Sequence, residues 1–490
     1  MAANAATKAT TTGVPAKEFR WRDLFEDPRI VQMLALGFSS GLPLLLVLGT
    51  FTLRLAQSEI DIKSIGLFSY VALPYSLKFL WAPTIDRLDV PVLARRLGRR
   101  RAWMVTTQIA TALALVLMAF SDPKDHLALL GLGAFLVAFC AASQDVVIDG
   151  WRIEAAGTDM QGILAATSNL GYRFGLILAG AGALYVAAYG GWTLAYLCMA
   201  GAMGIGFVAA LFAARYDRET QEAAQPHAAP RSRSDAVRRA VVEPLSELYG
   251  RMGKALFAVL VLVALYRMPD FISGVMANPL YIKLGYDLPQ IATIVKLVGV
   301  WIGIGGGFAG GWAISRFGMF PALVAGAFIA AASHLSMAWL ALGAPELWRL
   351  AIAVSIESLC GSFAGIALIT YMSSLTTPGY AATQYALFSS LYALPGKLVA
   401  GMSGFVVAAY GYPAFFTMTA AVGIPVVALC FAVGRAPHRS EPAAVAEPVA
   451  EPSREPGAGN PIRSRDLASA EREHDIPAHN VSPKVARART

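Results

Sequence analysis

Seven ionisable side chains stand inside stretches that are otherwise almost wholly apolar: Lys78, Arg173, Arg267, Asp270, Lys296, Glu357 and Lys397. Lys78, for example, sits in "SYVALPYSLKFLWAPT" (69–84). A charge at bilayer depth costs about 3 kcal/mol on insertion scales, so such groups face a cavity or one another rather than lipid. Two kinds of chemistry follow. A carboxyl held away from water is costly to keep ionised and can exchange a proton. Cations that outnumber carboxylates make a cavity suited to an anion. Asp145, Asp149 and Arg152 add a third pattern, because spacings of i, i+4 and i+7 put all three on one helix face.

The elements that must position these groups are membrane spans. The chain has 490 residues, 56% of them hydrophobic and 15% charged, a balance that indicates a polytopic membrane protein. A span needs about 20 mostly apolar residues. Such segments fall near 30–53, 64–86, 101–121, 127–149, 160–188, 191–214, 254–279, 290–314, 320–342, 347–373, 380–408 and 412–434. Residues 1–29 are polar and precede a run too long for a signal peptide, which reads as a first span with a cytoplasmic N-terminal segment.

Arginines set the orientation. Arg87, Arg95, Arg96, Arg99, Arg100 and Arg101 follow the second span, and 215–253 holds seven more, whereas 122–126 and 188–191 have almost none. The positive-inside rule puts both termini and 215–253 in the cytoplasm. Residues 30–214 and 254–434 form two six-helix halves around that linker, and the Pro/Ala/Glu/Arg-rich 435–490 reads as a disordered tail. The basic run "RRLGRRR" is explained by topology and anionic lipid rather than nucleic acid. Cys140, Cys198, Cys360 and Cys430 lie in apolar runs and are placed for neither a disulfide nor a metal. "GGGFAGG" (305–311) lacks the Lys-Ser/Thr of a phosphate loop. No enzyme signature, cofactor site or nucleotide-binding domain is evident, so ATP cannot drive the protein.

An internal repeat supports the two halves. "AATSNLGYRFGLILAGAGALYVAAYG" (165–190) and "AATQYALFSSLYALPGKLVAGMSGFVVAAYG" (381–411) share their openings and endings, six spans apart. The loop carrying Asp86 and Arg87 resembles the major facilitator motif Gly-x-x-x-Asp-Arg-x-Gly-Arg-Arg, departing from it at Ala82 and in a longer insert before Gly98. The strings "GFSSGLPL" (37–44), "LPYSLKFLWAPTIDR" (73–87), "GRRRAW" (98–103), "SQDVVIDGWRIE" (143–154), "ESLCGSFAG" (357–365) and "ATQYALFSS" (382–390) resemble the muropeptide permease family of the AmpG type over about 20–434. The resemblance implies an all-α membrane protein with a major facilitator fold, twelve transmembrane helices in two pseudo-repeated six-helix halves. It also implies proton-coupled import of anhydromuropeptides (GlcNAc-anhydroMurNAc carrying a short peptide) across a bacterial inner membrane, feeding cell-wall recycling and β-lactamase induction. Monomeric function is expected. Acetyl-CoA or a related CoA ester is the alternative cargo, since that wider circle shares the fold. A transporter-like sensor or scaffold is the alternative of another class.

Roles can then be assigned as expectations. Lys78, Arg173, Lys296 and Lys397 would hold an anionic substrate. Gln144, Tyr172 and Gln384, with Asn169, would hydrogen-bond sugar hydroxyls. Glu357 is the first candidate for the coupling proton, unless it is permanently paired with Arg267 or Lys296. Asp270 and Asp145 come next, although Asp270 lies one turn after Arg267 and a local ion pair is the stronger reading. Asp149 and Arg152 form either an inner gate with Asp86, Arg87 and the basic loop, or a helix-end cluster that anchors a terminus. His334 is expected to be a peripheral packing residue. Ser39, Ser40, Gly41, Pro43, Pro74, Pro269, Pro279 and Pro395 allow bending and close helix approach.

Overall fold

The computed structural model describes residues 27–155, 158–213, 243–376 and 381–434, whose regular structure is helical, with no strand among them. The expected cytoplasmic tail 435–490, and most of the expected N-terminal segment and linker, lie outside the described residues; 243–252 of the linker forms a helix. Nine stretches among the described residues are long and apolar enough to cross a membrane. In chain order the legs are α1 (Pro28–Gln57), α2 (62–87), α3 (Arg99–Phe120), α4 (Leu127–Ala155), α5 (158–190) and α6 (192–212). They continue with α7 (Ala255–Leu284), α8 (Leu288–Phe317), α9 (Met319–Ala341), α10 (Leu347–Ser374), α11 (381–410) and α12 (412–434). Each expected span thus has a helical counterpart, while α2 and the first part of α11 fall short of an unbroken apolar span.

In the turns between α5 and α6 and between α11 and α12, Gly191 and Gly411 adopt φ 80° and 75°, a backbone region that a Cβ disfavours; Gly411 closes the second repeated string and Gly191 follows the first by one residue. The halves repeat their packing as well: α1 lies on α5 and α6, and α3 on α4 and α6, as α7 lies on α11 and α12, and α9 on α10 and α12. α1 and α5 approach closely along their glycines. Gly37 and Gly41 meet the Ser168 and Tyr172 carbonyls, while Gly171 and Gly175 meet those of Leu34 and Phe38. Small residues four apart on both helices let the backbones touch.

α2 is not a continuous helix. It breaks into Ile62–Phe68, Ser69–Ala72, Leu73–Leu77, Lys78–Leu80 and Ala82–Arg87, with Pro74 and Pro83 opening two of the pieces. Proline cannot donate to the turn behind it. Two wide π-type turns, Leu178–Gly182 in α5 and Ala292–Val298 in α8, face each other across the halves. Such turns recur at functional sites.

The halves close on each other at the end that carries 57–62, 185–192, 284–288 and 400–404. Tyr70 donates to the Leu398 carbonyl at 2.7 Å, Tyr185 and Thr293 share a 2.6 Å hydrogen bond, and Asn278 donates to Thr52 at 3.3 Å. Gly404 lies against the backbone of Ile62 and Lys63. An apolar cluster with Leu53, Ala181 and Leu184 from one half and Ile272, Met276 and Ile291 from the other seals this end. The inter-half hydrogen bonds among the described residues cluster here, so the central space opens toward the opposite end, where α1 begins and α12 finishes.

Candidate functional site

In the N-terminal half, three helices converge on Asp145. Ser40 of α1 donates a short hydrogen bond to its Oδ1, and Lys78 Nζ of α2 lies 3.8 Å from its Oδ2. The break in α2 places Lys78 beside this carboxylate. Asp145, Asp149 and Arg152 share a 340 Å³ cavity with Asn169 and Tyr172 of α5. Asp149 lies 3.5 Å from Arg152 and keeps 57% of its side chain exposed. Asp86 and Arg87 end the last piece of α2, and their side chains are outside those described. Gln144, by contrast, turns out of the cavity: it is fully buried and donates to Ser39 between α4 and α1 at 3.1 Å.

The C-terminal half repeats the motif with different letters. Ser273 of α7 donates to Glu357 of α10 at 3.4 Å, as Ser40 of α1 does to Asp145 of α4. Among the described residues Glu357 forms no ion pair with Arg267 or Lys296, the pairing that stood as the alternative to its carrying a proton. Arg267 instead pairs with Asp270, Nε to Oδ2 at 3.1 Å, and donates a short bond to the Gly361 carbonyl. Lys296, in the π-type turn of α8, donates to Asn278 at 3.3 Å, and Asn278 donates onward to Thr52 of the other half. Gly49 leaves the ammonium its room, since a Cβ there would sit 3.1 Å from Nζ.

Between the halves, Asp270, Asn278, Lys296 and Lys397 line a 310 Å³ cavity with Gly49 and Thr52. Lys397 donates to Ser76 of α2 at 2.8 Å. Arg173 of α5 and Arg267 line a larger space of 960 Å³ along the glycine-rich face of α8. Gln384 is elsewhere, buried against Glu247 at 2.7 Å. Two glutamines thus leave the substrate-facing set, and Lys78, Tyr172, Arg173, Lys296 and Lys397 stay on or beside inter-helix space. The arrangement can attract an anion and hold protons on separate carboxylates. Among the described residues no cluster suits a metal ion.

The family model of the Major Facilitator Superfamily matches residues 30–400. The chain belongs to that superfamily, in its AmpG type. The facilitator is 33% identical to the anhydromuropeptide permease of Escherichia coli over 82% of its own length and 79% of that protein. It is 32% identical to putative transporter AmpG 4 of Rickettsia conorii over 82% of its length and 95% of that protein. Among solved structures, it matches a bacterial homologue of the human lysosomal transporter Spinster with TM-score 0.63 and 13% identity, covering 86% of this chain and 98% of that one. A D-xylose–proton symporter gives TM-score 0.59 and 12% identity, covering 84% and 98%. These structures share the fold. The protein is a multi-pass membrane transporter, and "GGGFAGG" is helix packing: Gly306 and Gly310 press on the backbones of Leu359 and Phe363.

Several residues of this facilitator's polar interior had no signal in the sequence. Ser40 and Ser273 look like ordinary small helix residues until α1 meets α4 and α7 meets α10. Thr52 and Asn278 matter only because the halves touch. Arg54 is buried, donates to the Met118 and Ser121 carbonyls at 2.7 Å each and stacks over Tyr196. It ties α1 to the end of α3. His334 is not peripheral: its side chain is 0% exposed, and Nε2 lies 3.6 Å from Asp270.

Proposed function

We propose that this facilitator imports anhydromuropeptides across the bacterial inner membrane with protons. The observation that carries the substrate is the 33% identity to a named anhydromuropeptide permease over most of both chains. The site is compatible with it. A disaccharide with a short peptide is bulky and carries carboxylates, and the inter-half space offers Arg173, Arg267, Lys296 and Lys397. Tyr172 and Asn169 are within reach of sugar hydroxyls at the N-terminal side of that space.

The end where the halves part carries Arg95, Arg96, Arg99, Arg100 and Arg101 on the α2–α3 connection. By the positive-inside rule that end faces the cytoplasm, and the described state is open inward. Import then needs the closed end to open while Asp149, Arg152, Asp86 and Arg87 draw the other end together. The coupling proton resides on Glu357, with Asp270 and Asp145 as further acceptors, because these carboxyls lie where water is scarce. On this reading the protein works as a monomer, because one chain supplies both halves of the substrate path.

Uptake into proteoliposomes tests this reading. Labelled GlcNAc-anhydroMurNAc-peptide should accumulate under an inward pH gradient and only equilibrate without one. A labelled CoA ester should not compete. Accumulation of the CoA ester and exclusion of the muropeptide would reverse the substrate assignment.

A further inference from the structure

The C-terminal half holds an imidazole whose neighbours do not explain it. His334 is fully buried on α9, and neither ring nitrogen has a hydrogen-bond partner. Buried polar groups are nearly always paired, and an unpaired one calls for a reason. Nε2 faces Asp270 Oδ1 at 3.6 Å, while Oδ2 of the same carboxylate holds Arg267 Nε at 3.1 Å. One carboxylate therefore stands between a fixed cation and a group that can become one. Its two neighbours differ in their surroundings. Arg267 lines the 960 Å³ space with Arg173 and donates to the Gly361 carbonyl. His334 reaches no water-filled space, so a protonated ring there has Asp270 alone to answer its charge.

The helices against α9 supply few other charges. α7 contributes Asp270, 3.6 Å from the ring, with Arg267 at the joint before it, and Lys283 in its last turn, which stacks on Tyr412. α10 contributes Glu357, which accepts from Ser273, and Arg349, which stacks on Trp339. α8 contributes Lys296, which donates to Asn278 at 3.3 Å, and Arg316 in its last turn. α12 has no acidic or basic side chain.

We propose that His334 is a proton acceptor of the transport cycle, and that its protonation draws Asp270 away from Arg267 and frees that guanidinium for a carboxylate of the substrate. A proton from cavity water reaches Asp270, which lines the 310 Å³ cavity, and passes to Nε2. The imidazolium and the carboxylate then pair. Arg267 keeps its carbonyl contact and turns its remaining donors to the anion beside Arg173. Loss of the proton reverses each step: Asp270 returns to Arg267 and the anion loses its partner. One proton and one carboxylate bind together, and each strengthens the other by the same factor. His334 is a positioning residue here, acting on the substrate through Asp270 and Arg267. The identity of the anion rests on the muropeptide reading above.

The test has a ligand-dependent arm and a ligand-free arm. Purified protein should bind anhydromuropeptide about tenfold more tightly at about pH 5.5 than at about pH 8, with net proton uptake. His334→Asn should bind with the weak affinity at both values. Asp270→Asn should do the opposite and bind tightly at both, because Arg267 then has no competing partner. A merely structural pair would not raise affinity when broken. In the ligand-free arm, a pH jump should give an imidazole protonation signal in infrared difference spectra that His334→Asn removes. If that signal is present and the muropeptide does not bind, the substrate reading fails and the switch stands. If His334→Asn keeps the wild-type pH dependence, if Asp270→Asn stays weak at about pH 8, or if no such imidazole signal occurs, the switch is wrong.

Discussion

Asp145 and Glu357 occupy equivalent helices of the two halves, and each accepts from a serine on the first helix of its half. They differ in their cations. Lys78 lies 3.8 Å from Asp145, whereas Lys296 turns from Glu357 to Asn278. Glu357 is thus the carboxyl with less to hold its charge, which favours it as the carrier of the coupling proton. Glu357→Gln should cut accumulation driven by a pH gradient several-fold, to what the His334 proton alone supports, while leaving substrate counterflow within about threefold of wild type, since the loaded carrier can still reorient. Loss of both together, with loss of folded protein, would mark Glu357 as structural. The charged members of the site were legible because a charge in an apolar run is conspicuous. Their partners were not. Ser273, Thr52 and Asn278 come from other helices, and which way a helix is rotated depends on packing rather than on its own spacing. The same limit misplaced Gln144 and Gln384: a polar side chain in a span has as much reason to satisfy a neighbour such as Ser39 or Glu247 as to meet a ligand.

At the level of elements, prolines and the repeat were informative, and the π-type turns were not. Pro74 announced the break that delivers Lys78, and the shared Ala-Ala-Tyr-Gly announced the hairpin corners. The turn at 292–298 holds neither glycine nor proline, and Gly180 and Gly182 in 178–182 read as ordinary small residues of an apolar run; what the sequence cannot show is that the two turns meet across the halves. Glycine does comparable work where α11 meets α2. A side chain at Gly404 would collide with the Ile62 carbonyl, so Gly404→Leu should keep the closed end from sealing. A cysteine replacing Thr52 in a cysteine-free background should then react with a membrane-impermeant maleimide several-fold faster than it does with Gly404 intact. An unchanged rate would show that this contact does not hold the end shut. At the start of α1, Asp27 accepts from the Arg29 amide at 2.9 Å and pairs with its guanidinium at 2.6 Å. Hydrogen bonding to Arg29 holds the Asp27 carboxyl below its ordinary value of 3.8. A lowered value in the folded state means a contribution that is complete above the unfolded value and lost as pH falls through the folded one. Asp27→Ala should cost about 1 kcal/mol at neutral pH. The difference in melting temperature should shrink as the pH is lowered below about 4.

For the molecule as a whole, the two-half plan was visible from the repeat and the arginines, while the conformation was not. Nothing in a sequence says which of two alternating states is the more compact, because both use the same helices and differ only in which ends touch. Orientation remains open to a direct check. Lys124→Cys, between α3 and α4, should label with an impermeant reagent applied outside intact cells. Asp235→Cys, in the loop between the halves, should label only after the membrane is opened. The reverse pattern would turn the transporter over and make the described state outward-open.

The one-sided closure has an electrical consequence. Lys296 lies eight residues into α8 from the sealed end, about 12 Å at a rise of 1.5 Å per residue. Electrolyte standing in the open vestibule carries bulk potential to that depth, so the membrane voltage falls across this short plug instead of a full hydrocarbon thickness of about 30 Å. A unit charge crossing the plug does work of about 2.3 kcal/mol per 100 mV. A proton taken up by Glu357 from the outside, while the other end is closed, therefore crosses most of the field when the carrier turns over to the described state rather than when it binds. Rapid solution exchange on a supported membrane should record a charge displacement that appears with substrate-driven reorientation, and Glu357→Gln should diminish it.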